Sequence, residues 1–122
     1  MMGQRRILVV DDEEDMRKVI AARLQANNYE VITAADGEKG WEEIVRKKPD
    51  LVLLDITMPK INGWKVLEKI RANEATKRLP VIMMTGKGET DSVLASKKHQ
   101  ATDYFVKPFE TEELLEYIRR YI

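Results

Sequence analysis

Leu51-Val52-Leu53-Leu54-Asp55 is an unbroken apolar run that stops at a carboxylate. A run this short, with no polar alternation, reads as a strand covered on both faces, as in a parallel sheet with helices above and below it. Three more runs share the form: Ile7-Leu-Val-Val10 before Asp11 and Asp12, Val81-Ile-Met-Met84 before Thr85, and Tyr104-Phe-Val106 before Lys107. In parallel strands all four endings fall on one edge of the sheet, so polar residues far apart in sequence become candidates for one site.

Between the runs the hydrophobic period lengthens. Met16, Val19, Ile20 and Leu24 recur at three- and four-residue steps and predict a helix with one buried stripe, its acidic start suiting the positive end of the dipole. Tyr29 to Ala34 alternates like a strand exposed on one face, which suits an edge. Asp36-Gly37 opens a second helix with the stripe Trp41, Ile44, Val45, stopped at Pro49-Asp50. Asn62-Gly63 introduces a third helix through Val66, Leu67 and Ile70, and Pro80 starts the fourth strand. A fourth helix, roughly residues 89 to 98, has the thinnest pattern, with Val93, Leu94 and Lys97 on one side. The last helix starts near Glu110, carries Leu114, Leu115, Ile118 and Tyr121, and ends with Arg119-Arg120. Right-handed crossovers then give an α/β, doubly wound, five-stranded parallel sheet with five helices on its two faces, strand order 2-1-3-4-5. The whole chain, 1–122, reads as a single domain.

Composition narrows the function classes. Lys+Arg 21 balances Asp+Glu 21, so overall charge draws the chain neither to nucleic acid nor to an anionic membrane. With Cys 0 and no apolar stretch of membrane-spanning length, a cytoplasmic protein is expected. The 2-1-3-4-5 order sets the first and third strands side by side, so Asp11, Asp12 and Asp55 converge at the point where the order reverses, flanked by Thr85 and Lys107. Two carboxylates about 4 Å apart repel by roughly 4 kcal/mol at an effective dielectric near 20. Lys107 supplies one compensating charge, and a divalent ion would supply the rest. A site with few carboxylates, open to phosphate and water oxygens, suits Mg²⁺, with Mn²⁺ as a substitute. The same turn excludes a dinucleotide-binding domain, which needs glycines where this chain has Asp11-Asp12-Glu13-Glu14-Asp15. Taken singly, each residue has a plainer role: an Asp-Asp pair caps helices, Thr85 can be a turn hydroxyl, Lys107 a solvated lysine, Tyr104 a fixed aromatic.

Taken together and in order, Val-Val-Asp11-Asp12, Leu-Leu-Asp55-Ile-Thr-Met58-Pro59, Asn62-Gly63, Met84-Thr85-Gly86 and Tyr104-Phe-Val-Lys107-Pro108-Phe109 resemble the receiver domains of two-component response regulators, from Ile7 to about Ile122. The resemblance implies that Asp55 is the phosphoacceptor, attacking a phosphohistidine on a sensor histidine kinase or histidine phosphotransfer protein. It implies metal ligation by Asp11, Asp12, Asp55 and the Thr57 main-chain carbonyl. Lys107 would hold phosphoryl oxygens, and Thr85 and Tyr104 would be switch residues. Thr57 and Lys87, each two positions after a key residue, would tune phosphate lifetime. It also implies a cis Lys107–Pro108 bond and a downstream protein target on the face of the fourth helix, fifth strand and fifth helix. The domain would be a monomer or a weak phosphorylation-dependent dimer, without direct nucleic-acid or membrane binding, and would catalyse only its own phosphorylation and slow dephosphorylation. Where the family commonly has Gly-Ala before Asp103-Tyr104, this chain has Gln100-Ala101, and the preceding helix is unusually polar, with Lys97-Lys98-His99. His99, at the far end of that helix from the catalytic edge, is a poor internal phosphodonor. Two other readings remain open: an aspartyl-phosphate hydrolase of the haloacid dehalogenase type, for which the chain has no room for a substrate cap, and an inert pseudo-receiver acting as a binding module.

Overall fold

The computed structural model describes residues 4–56, 58, 61–86 and 100–122. Its strands are β1 (Arg6–Val10), β2 (Glu30–Ala34), β3 (Leu51–Asp55), β4 (Val81–Gly86) and β5 (Asp103–Lys107). Four helices occur among the described residues: α1 (Glu14–Gln25), α2 (Gly37–Lys47), α3 (Gly63–Ala72) and α4 (Thr111–Arg119). All pairings are parallel, in the expected order β2-β1-β3-β4-β5. The helix expected near residues 89 to 98, with its Lys97-Lys98-His99, lies outside the described residues.

Alternation along each strand explains why the central runs are apolar throughout. Leu8, Val10, Val52, Leu54, Val81 and Met83 point to the layer of α2 and α3, where they meet Ile44, Val66, Leu67 and Ile70. Ile7, Val9, Leu51, Leu53, Ile82 and Met84 point the other way, onto Ile20, Leu24, Leu114, Leu115 and Ile118 of α1 and α4. From Ile7 to Val10, Leu51 to Leu54 and Val81 to Met84 neither face meets water, so a polar side chain in any of these runs would lose its hydration without a partner.

Local signals set the helix starts. Asp36 and Asn62 accept from the N–H of Lys39 (2.9 Å) and Lys65 (3.1 Å), caps worth about 1 kcal/mol each. Three stripe assignments are corrected. Val19 and Val45 are about half exposed, at 51% and 54%, although each neighbours a buried residue, Ile20 or Ile44. One residue is a 100° turn of the helix, enough to carry a side chain from the core to the surface. Tyr121 lies beyond the end of α4 instead of on its stripe, and its hydroxyl donates to Asp103 Oδ2 (2.6 Å).

The turn into β5 is made without glycine. Gln100 takes a left-handed backbone, φ 63°, and its carbonyl accepts from Arg71 Nε (2.8 Å). The same guanidinium donates to the carbonyls of Lys77 (3.2 Å) and Leu79 (2.8 Å) and to Thr102 Oγ1 (3.2 Å). Arg71 thus fastens the loop before β4 to the approach to β5. A side chain in the left-handed region costs about 1 to 2 kcal/mol that glycine avoids, partly offset by glycine's greater chain entropy. Gln100→Gly keeps the Arg71 contact, because the acceptor is backbone, so urea unfolding should show a gain of about 1 kcal/mol.

Candidate functional site

The carboxyl edge of the sheet gathers the acidic residues. Val10 pairs with Leu54, so the next positions, Asp11 and Asp55, leave adjacent strands side by side. One oxygen from each of Asp11, Asp12 and Asp55 lies within 4.8 Å of the others. Asp11 is fully buried, Asp55 nearly so, and Asp12 is exposed, so the group opens to solvent on one side. Lys107 Nζ donates to Asp11 Oδ2 at 3.0 Å and lies 3.5 Å from Asp55 Oδ2. The Lys107–Pro108 bond is cis, as the resemblance implies.

Backbone contacts hold these side chains in place. Asp11 N donates to the Ala34 carbonyl (3.1 Å), Asp11 Oδ1 accepts the Glu13 N–H (2.9 Å), and Arg17 donates to the Asp11 carbonyl (2.7 Å). Beyond Asp55, Ile56 N donates to the Met84 carbonyl and Gly63 N to the Ile56 carbonyl. Gly63 is fixed by close approach: a Cβ there would stand 2.3 Å from the Asp55 carbonyl oxygen. Arg17 and this role of Gly63 were not found from sequence. Arg17 lies six positions from Asp11 with no motif to mark it, whereas Asn62-Gly63 was visible as a helix start and a family motif but not as a point of close approach.

Burial pushes the Asp55 carboxyl from the usual 3.8 up to about 6; the Lys107 ammonium opposes this, and the neighbouring carboxylates reinforce it. Burial alone would push Lys107 down, but its bond to Asp11 and the attraction of Asp55 outweigh that and raise it. One ammonium cannot balance three carboxylates, so the donor set, all oxygen and partly open to solvent, fits a hard divalent cation.

Thr85 is buried at the end of β4, in register with Val106. Tyr104 is half-buried on β5 against the α2–α3 layer. Both therefore lie on the elements flanking the acidic group. Thr57 and Lys87 lie outside the described residues.

The response regulator receiver domain model matches residues 7–119. The chain belongs to this family. It is 40% identical over 114 residues to the response regulator ArlR of Staphylococcus saprophyticus, covering 93% of this chain and 50% of that protein. It thus spans about half the length of the curated relatives it matches. Among solved structures it is similar to chemotaxis protein CheY4 of Vibrio cholerae (30% identity, TM-score 0.92, covering 98% of this chain and 100% of that one). It is also similar to the BeF₃-activated N-terminal receiver domain of Klebsiella pneumoniae RstA (29% identity, TM-score 0.89, covering 96% and 97%). Membership of this family places the chain in two-component signalling, and Asp11, Asp12 and Asp55 are the acidic set typical of the receiver Mg²⁺ site. Among the described residues no helix is long and apolar enough to cross a membrane.

Because the folded domain holds the Asp55 proton more tightly than the unfolded chain, stability without metal falls as pH rises between about 4 and 6. Asp55→Asn removes that penalty. In chelator, urea unfolding should find the variant more stable than the parent by about 2 kcal/mol at pH 7.5, with the difference shrinking towards zero near pH 4.

Proposed function

We propose that the domain is a phosphoacceptor switch in which Asp55 takes a phosphoryl group from a phosphohistidine. An Asp55 carboxylate oxygen forms the new P–O bond while the P–N bond to the donor imidazole breaks, and the released nitrogen takes up a proton. The observation carrying this reading is the nearly buried Asp55 with Lys107 at 3.5 Å and two further carboxylates beside it. Lys107 would hold the phosphoryl oxygens and offset charge in a loose transition state, where positioning and electrostatics do most of the work. Asp11, Asp12 and Asp55, together with the Thr57 carbonyl, would hold Mg²⁺, which when bound neutralises charge on the phosphoryl oxygens.

The resulting acyl phosphate would give the Thr85 hydroxyl a new acceptor, and Tyr104 would follow into the space Thr85 leaves, reshaping the β5 and α4 surface for a protein target. Coupling of about 1 to 3 kcal/mol is enough to bias such binding. The similarity to a receiver structure in its BeF₃-activated form supports an Asp-phosphate state. Thr57 and Lys87 are proposed to tune the lifetime of that state. The chemistry ends on the domain itself, without turnover of a free substrate.

With acetyl phosphate and Mg²⁺, the chain should gain one phosphoryl group by intact mass; no gain should appear when Mg²⁺ is chelated beforehand or in Asp55→Asn. Full labelling of Asp55→Asn would refute the assignment.

A groove beside the site supports a route for the donor. Beside the site, a groove between α1 and α4 has Met16, Ile20, Phe109 and Leu114 along it and the exposed Val19 on its wall. An apolar surface next to the acceptor suits a donor helix. Val19→Glu should slow transfer from a phosphorylated histidine phosphotransfer protein by about tenfold while leaving acetyl phosphate labelling unchanged, since only the larger donor needs the groove.

A further inference from the structure

Two of the three large apolar side chains exposed among the described residues, Val19 and Val45, stand in grooves of opposite charge. The first groove, at the carboxyl edge, is rimmed by Glu13, Asp15, Glu110 and Glu112 against Arg23. The second lies at the amino edge, between the end of α2 and the loop before β4, where Val45 has Lys48, Lys77 and Arg78 around it. Its acidic residue, Glu74, is paired with Lys77 at 2.9 Å. Parallel topology produces this segregation. Lys47-Lys48 precedes β3 and Lys77-Arg78 precedes β4, so both pairs fall at the amino edge, while the acidic residues following β1 and β5 fall at the other. Helix dipoles favour the same distribution of charge in a lone molecule. They do not account for an exposed valine in each groove.

We propose that the two grooves are complementary halves of a head-to-tail contact between copies of this chain, the acidic groove of one copy seating the basic end of the next. Such a contact would cover Val19 and Val45 together and oppose carboxylates to cations. Like-to-like pairing is disfavoured, since it would bring together either the carboxylates of two acidic rims or the cations of two basic ones. The two surfaces differ and lie at opposite edges of the sheet, so the contact is heterologous and propagates beyond a dimer, into a ring or an open chain. Exposed charges carry it, so it is weak and weakens further with salt. If the first groove also receives the donor, self-association competes with phosphorylation. The association itself does not rest on that reading, because mass alone reports it.

Sedimentation of the wild-type chain, from about 10 µM to about 1 mM protein and at about 20 mM and 300 mM salt, tests it over the range in which screening changes most. The expected result is an average mass that rises past two copies at low salt and returns towards one at high salt. A basic-groove variant, Val45→Ser/Lys48→Gln/Arg78→Gln, and an acidic-groove variant, Asp15→Asn/Val19→Ser/Glu112→Gln, should each stay monomeric. Mixed, they should form a 1:1 pair that grows no further, because each keeps the half the other lacks. All six positions are on the surface, and matching circular dichroism would confirm that both variants fold; if either does not, Val45→Ser or Val19→Ser alone, each expected to shift self-association to higher concentration, replaces it. The proposal is overturned if the wild type stays monomeric at the highest concentration and lowest salt, if growth stops at two copies, if either variant still self-associates, or if the mixture forms no pair.

Discussion

Three carboxylates forced together at the end of a sheet would push it apart, and the rest of the structure answers that repulsion. Asp11 has no contact with bulk water and Asp55 almost none, so neither is relieved by solvent. Lys107 lies between them, bonded to one and near the other. It can do so because β5 runs parallel to β4 and places its last residue at the same edge as theirs. The fold thus holds a local charge imbalance in reserve, and a group that brings positive charge to the edge, or that spreads the negative charge over more oxygens, finds the structure already arranged for it.

Holding such a site requires a rigid frame. The two apolar layers supply it: no side chain of β1, β3 or β4 before the polar endings is exposed beyond a trace, apart from Arg6 at the amino end of β1. The loop after Asp55 is closed by backbone hydrogen bonds to β4 and from α3, and Gly63 lets α3 approach so closely that no other residue fits without moving the Asp55 backbone. Rigidity behind Asp55 and openness in front of it, at the exposed Asp12, are two sides of one arrangement.

The strand order and the meeting of Asp11, Asp12, Asp55 and Lys107 were legible because short, unbroken apolar runs alternating with helical periods have few alternatives and parallel topology converts strand endings into neighbours. Helix faces were less legible. Val19 and Val45 each follow three- or four-residue spacing, and nothing in the spacing says on which side of the stripe the core ends. Gln100 was visible as a departure from a glycine, but not that the chain would keep the left-handed turn and fasten it from outside. Arg17 and the Tyr121 bond to Asp103 were invisible, since each joins elements whose relative placement only the packed structure gives.

Arg71 has a consequence for how the domain breathes. A single planar group ties the carbonyls of Lys77, Leu79 and Gln100 and the hydroxyl of Thr102, and that hydroxyl also accepts the Val81 N–H. Two connections separated by β4 and by residues 87–99 of the sequence are therefore one cooperative unit at the floor of the sheet. Fraying of either releases the guanidinium and loosens the other, so β4 and β5 melt from their amino ends in concert, while the acidic edge above keeps its shape until the sheet itself opens.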